Sequence, residues 1–178
     1  MYIWIGLSID NDFQNIKEEV EGVENEYKFD NSNLTLPFHI SLKISFEVEN
    51  DIYDSIIEDI LSFYRTLKSF KVKTKAIEKH NNIVWVRMIE NDELKRIHTF
   101  FDDMLLNKYN IPLHPFDKEF IYHSTLVMND NKRKVSKAYR KLKKLDIPSE
   151  VAVSKCLIGT SEDGNPWTFR IVKSIDLN

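Results

Sequence analysis

The chain has 178 residues, 42% of them hydrophobic, and a formal net charge of −3. That length and apolar content suit one domain, or two small lobes sharing a core, and give no compositional ground for disorder or for a general nucleic-acid coat protein. The single cysteine, Cys156, excludes an internal disulfide and a cysteine-based zinc site, and a reducing, cytoplasmic setting is expected.

The apolar N-terminus lacks a basic leader and a small-residue cleavage site, so it reads as a strand, and no run reaches the length of a membrane span. From Tyr2 to Ile9 the sequence alternates, with Ile3, Ile5, Leu7 and Ile9 on one face and Tyr2, Trp4, Gly6 and Ser8 on the other. Phe13, Ile16, Val20, Val23 and Tyr27 then recur at helical spacing, with cap candidates at Asp10 to Asp12. Leu36 to Val48 alternates again: Phe38, Ile40, Leu42, Ile44 and Phe46 oppose His39, Ser41, Lys43 and Ser45. A second helix carries Ile52, Ile56, Ile60, Phe63 and Leu67. Phe70 to Ile77 and Ile83 to Met88 read as a hairpin turning at Asn81-Asn82. Asn91 is placed to cap a third helix bearing Leu94, Ile97, Phe101, Met104 and Leu105. After a proline loop, Phe120 to Met128 is a strand and Lys132 to Lys144 a basic helix. Val151 to Ile158 and Trp167 to Lys173 are strands joined through Asp163-Gly164.

The order strand, helix, histidine strand, helix, strand occurs twice. This predicts an α+β fold built as a bilobal pseudo-twofold duplication, with two largely antiparallel sheets lining a central cleft and helices outside. The structural halves fall at about 1–78 and 82–174 of one bilobal domain, with strands exchanged between lobes as an option.

Each histidine strand carries a hydroxyl two residues on: His39-Ile40-Ser41 and His123-Ser124-Thr125. Residues i and i+2 of a strand share a face, about 7 Å apart, so each motif presents an imidazole beside a hydroxyl. Two imidazoles that titrate near neutral pH can serve as base and acid, and hydroxyls can donate to phosphate oxygens. His39 and His123 are therefore the candidate catalytic pair, with Ser41 and Thr125 holding phosphate. Neither strand says which histidine is the base. Lys43, on the same alternating face, is a candidate phosphate-binding cation. Tyr2, Trp4, Trp85 and Arg87 flank the histidine strands as candidate base-stacking or cleft residues. No cofactor or metal is called for: His80, His98 and His114 have no metal-ligand spacing with another His, Asp or Glu.

Phe38-His39-Ile40-Ser41-Leu42 and Tyr122-His123-Ser124-Thr125-Leu126 resemble the paired His-x-Ser/Thr motifs of the 2H phosphoesterase superfamily, and the order of elements resembles its bacterial 2′-5′ RNA ligase-like (LigT-like) branch. The resemblance covers nearly the whole chain. It implies both motifs in a central cleft, and cleavage, or the reverse ligation, of 2′,3′-cyclic phosphates and 2′-5′ phosphodiesters in RNA or nucleotides. Ser124 departs from the aliphatic usual at its position, and Lys43 and Val127 stand where several relatives carry arginine.

The rival reading is a non-catalytic RNA- or nucleotide-binding module on the same fold. A third, a partner-binding protein, rests on the basic stretch from Asn131 to Leu145, which contrasts with an acidic stretch from Asp10 to Asp30. A monomer without membrane attachment is expected.

Overall fold

The computed structural model describes residues 1–177. Nine strands and four helices follow in the order β1 (Tyr2–Ser8), α1 (Gln14–Tyr27), β2 (His39–Ser41), β3 (Phe46–Glu47), α2 (Asn50–Tyr64), β4 (Phe70–His80), β5 (Ile83–Met88), α3 (Asp92–Tyr109), β6 (His123–Met128), α4 (Lys132–Leu142), β7 (Glu150–Val153), β8 (Lys155–Ser161) and β9 (Arg170–Asp176). They form two sheets. Sheet one runs β2-β1-β8-β9, with β3 also on β1; sheet two runs β6-β5-β4-β7. Every pairing is antiparallel.

The apolar stripes explain the layering. Val20 of α1, Ile60 of α2, Phe101 of α3 and Ala138 of α4 are fully buried, in one continuous core with Ile3, Ile5 and Leu7 of β1, Ile40 of β2 and Val84 and Val86 of β5. One face of each sheet thus meets helices. On the other face of sheet one, Trp4, Leu157 and Phe169 make a small separate cluster.

The two sheets are alike in plan. Each places a histidine strand at one edge, and β2 and β6 approach one another there, with Cα atoms within 8 Å. The segment around 78–82 is a hairpin whose strands pair within sheet two, while sheet one takes β8 and β9 from the end of the chain. Asn81 adopts the left-handed conformation the turn needs, at φ 50°. Asn91 caps α3 by accepting the Leu94 N–H at 2.8 Å.

Several expectations need correction. The alternating run from Leu36 to Val48 is not one strand: it pairs as β2 and β3, with bends at 42–43 between them. Val151 to Ile158 is two strands parted at Ser154, β7 in sheet two and β8 in sheet one, because the chain crosses between sheets without losing its extended, apolar character. Asp10 and Asp12 do not cap α1. Asp10 Oδ1 accepts the Phe38 N–H at 3.0 Å and Asp12 Oδ2 the Ala152 N–H at 2.6 Å, which ties the start of the helix to β2 and β7. The last strand begins at Arg170, later than expected, since Trp167 belongs to the preceding turn.

Candidate active site at the seam of the two sheets

His39 opens β2 opposite Ser8 of β1, and Ser41 lies opposite Gly6. His123 opens β6 opposite Arg87 of β5, and Thr125 lies opposite Trp85. Both edge strands alternate with the middle residue buried, Ile40 at 0% and Ser124 at 1% exposure, so the histidine and hydroxyl of each motif share the open face.

Each imidazole is fixed in the same way. His39 Nδ1 lies 2.7 Å from the Pro37 carbonyl and His123 Nδ1 lies 2.7 Å from the Ile121 carbonyl, two residues upstream in both cases. A carbonyl oxygen only accepts, so Nδ1 carries the proton and Nε2 of the neutral ring is the free acceptor. Burial pushes the His39 imidazole down from 6.5 to about 4; the Pro37 carbonyl opposes this and the neighbouring His123 adds to it. His123 is also lowered by burial, opposed by the Ile121 carbonyl and reinforced by His80. The two histidines belong to strands that approach within 8 Å between Cα atoms at the seam.

An indole braces each ring. Trp4 meets His39 edge-on at 4.4 Å between centroids, and its Nε1–H donates to Ser41 Oγ at 2.9 Å. It lies flat across sheet one because Gly6 and Gly159 have no side chains: a Cβ at Gly6 would collide with the indole, and one at Gly159 would come within 2.8 Å of it. Trp85 lies 4.3 Å from His123 and stacks on His80 at 5.5 Å. Glu78 accepts from Trp85 Nε1 at 3.5 Å and sits 3.7 Å from Arg87. Trp4 and Trp85 are 7% and 8% exposed. They are therefore walls behind the histidines and not free platforms for a base. Tyr2 packs on the Trp4 cluster and against Gly164.

Lys43 is a correction. It is 2% exposed, and its Nζ lies 2.7 Å from Asp102 of α3 and 2.5 Å from Asp117 of the proline loop. Strand β2 ends at Ser41, so the period of two that would carry Lys43 onto the cleft face stops there. His98, whose ring nitrogens lie 2.6 Å and 3.1 Å from the Leu42 and Asp117 carbonyls, completes this buried cluster. Contrary to the expectation that His98 lacks metal-ligand spacing, it lies one helical turn from Asp102, and with Asp117 the three are close enough to serve as metal ligands. The Lys43 ammonium, however, already stands between the two carboxylates and supplies their countercharge. His114 caps the short turn at Pro115–Asp117.

Sequence reasoning missed a second tie across the seam. Glu24 of α1 accepts from Ser32 Oγ at 2.5 Å and from the Asn33 N–H at 2.9 Å, and Asn33 Nδ2 donates to the Thr125 carbonyl at 2.9 Å. A loop before β2 thus holds β6 in place. The signal was a buried glutamate on an otherwise acidic helix, indistinguishable by type from its solvated neighbours. The basic stretch is partly engaged: Lys141 pairs with Glu26, Lys134 bonds the Lys28 carbonyl, and Lys137 and Lys141 lie over the Tyr27 ring at 6.0 and 5.7 Å.

No protein-family model and no curated protein sequence matches the chain. Solved structures do. The structure of TT0787 from Thermus thermophilus aligns at TM-score 0.67 and 13% identity, covering 99% of this chain and 98% of that one. A structure described as a phosphoesterase aligns at TM-score 0.59 and 14% identity, over 99% and 98% of the chains. E. coli LigT complexed with NADP+ aligns at 0.55 and 14%, over 99% and 96%. The chain has the LigT-like phosphoesterase fold. At these identities the likeness concerns fold, and the chemistry must be argued from the side chains. Among the described residues no helix is long and apolar enough to cross a membrane.

Proposed function

We propose that this chain is a two-histidine phosphoesterase of the 2H type that acts on 2′,3′-cyclic phosphates or 2′-5′ phosphodiesters of RNA or nucleotides. The observation that carries the reading is the matched fixing of His39 and His123, each through Nδ1, on facing edge strands beside a hydroxyl. Two such rings can accept and supply the two protons that hydrolysis moves, which leaves no proton transfer for a metal to perform.

The surroundings favour unequal roles. Burial, with a smaller contribution from His123, pushes His39 to about 4, so His39 is assigned as the neutral base and His123 as the member that carries the proton. His39 Nε2 then takes a proton from the attacking water, and His123 donates to the departing ribose oxygen. Trp4 occupies an acceptor position of Ser41 Oγ, which leaves the Ser41 O–H to donate to a non-bridging phosphate oxygen. Thr125 makes the matching contact. Ligation would use the same pair with a 5′-hydroxyl in place of water: His39 takes the proton of that hydroxyl as its oxygen bonds to phosphorus, and His123 protonates the ribose oxygen whose bond to phosphorus breaks.

The test is turnover of a 2′,3′-cyclic nucleotide in EDTA, followed as kcat/KM against pH. Both imidazoles are lowered, so the free enzyme is expected to give a bell whose optimum lies below pH 6.5. The acid limb falls as His39 protonates near pH 4, and the alkaline limb falls as His123 loses its proton. Absence of turnover, or a flat profile, contradicts the reading.

A further inference from the structure

Strand β4 carries lysines at alternate positions, Lys71, Lys73 and Lys75, and a bulge decides where they point. Directly paired residues of an antiparallel sheet share a face. Glu78, Trp85 and Thr125 are in register, as are Ala76, Arg87 and His123, so Ala76 and Glu78 lie on the histidine face. Counting back in twos from Ala76 would put Thr74 and Val72 on that face and the lysines against the helices. The register shifts between Thr74 and Ala76, however, with Thr74 opposite the buried Met88 and Lys75 as the extra residue. Val72, at 0% exposure, faces Val151 in the core, and Lys71, Lys73 and Lys75 lie on the side of Arg87 and His123. Bulges next to active sites re-aim side chains in this way.

We propose that Arg87, Lys75 and Lys73 form a subsite for the phosphodiester backbone of an RNA chain whose reacting end lies between His39 and His123. The proposal rests on the phosphoesterase reading for the chemistry at the seam. From β6 the row is reached across β5, roughly 10 Å away at the spacing of neighbouring strands. Its charge is available: among the described residues neither Lys73 nor Lys75 has an ion pair, and Arg87 has a single loose one, at 3.7 Å, to Glu78. Lys71 is already held, 2.9 Å from Glu150, which also lies opposite Lys73. The matching row of sheet one offers Lys155, opposite Ser8 but paired to Asp176 at 3.2 Å, followed by Leu157 and Gly159. The basic helix α4 lies under the opposite face of sheet two, where Val135 and Ala138 pack into the core. A polyanion leaving the seam therefore meets, on the β5–β4 side, the loosely held Arg87 and two lysines without an ion pair among the described residues.

The experiment compares a 2′,3′-cyclic mononucleotide with a short RNA ending in the same 2′,3′-cyclic phosphate, for the wild type and for Lys73→Ala/Lys75→Ala. Neither lysine is buried, so the variant keeps its fold, checked by its melting temperature. The RNA is expected to have the higher kcat/KM in the wild type. The double variant is expected to lose roughly tenfold on the RNA, to leave the mononucleotide within twofold, and to flatten the salt slope of RNA binding by about 1.4, or 0.7 for each lost phosphate contact. Equal effects on the two substrates, or none on either, overturn the subsite. If the wild type turns over neither substrate, binding of an RNA ending in a 3′-phosphate separates the questions. Lysine-dependent, salt-sensitive binding then keeps the subsite while the phosphoesterase reading falls, and lysine-independent binding removes both.

Discussion

The two half-sites reach the same end by different registers. In sheet two the bracing indole is directly across from the hydroxyl, with Trp85 opposite Thr125. In sheet one the residue opposite Ser41 is Gly6, and Trp4, two residues earlier, folds over it to reach both Ser41 and His39. The imidazoles end up alike, at 4.4 and 4.3 Å from their indoles and locked by a carbonyl two residues back. Their surroundings do not. His39 sits in an aromatic and glycine-lined corner and falls to about 4, whereas His123, also lowered by burial, lies opposite Arg87 and feels His80. On the proposed reading, two imidazoles held alike through Nδ1 but set in different surroundings are what separates the base from the acid.

The comparison breaks most sharply two residues past each hydroxyl, where Lys43 and Val127 are both buried. Lys43→Met leaves Asp102 and Asp117 without their cation, and a loss of about 3–5 kcal/mol is expected in urea unfolding. Activity per folded molecule should hardly change; a selective rise in KM for a cyclic phosphate would instead return Lys43 to the cleft. Next in size is the glycine slot. Gly6→Ala drives a Cβ into the Trp4 indole and should lower kcat by about 10²-fold through misplacement of His39 and Ser41. Trp4→Phe removes the N–H to Ser41 and should cost a few-fold to tenfold, in line with one hydrogen bond of about 1 kcal/mol. Trp85→Phe, whose N–H has only a long contact at 3.5 Å, should cost less, and the reverse order would mean that the Ser41 contact is incidental. The smallest effect concerns the middle residues. Ile40 is apolar, but Ser124 buries a hydroxyl with no partner among the described residues. Ser124→Ala should be neutral or stabilise by about 1 kcal/mol, measured as a melting shift, with turnover unchanged.

Much of this was legible in sequence because a period of two fixes which side chains share a face once a strand is granted. That is why His39 with Ser41, and His123 with Thr125, share a face as the alternation predicted. The same rule failed at Lys43, since alternation in type continued after the strand had ended. It failed again at Ser154, where an extended apolar run hides a change of sheet. The reach of Trp4 over Gly6, the inward turn of Glu24 and the bulge at Lys75 depend on partners distant in the chain. Local pattern carries no record of such partners.

The central claim is that His39 and His123 act as one unit. It is tested most directly by kcat/KM on a 2′,3′-cyclic nucleotide for wild type, His39→Gln, His123→Gln and the double variant. Each single change should cost about 10²–10⁴-fold, and the double little more than the worse single, because a proton relay missing one member has already failed. Small losses that multiply in the double variant, or full activity in either single, would contradict the pair and leave the seam as a binding surface.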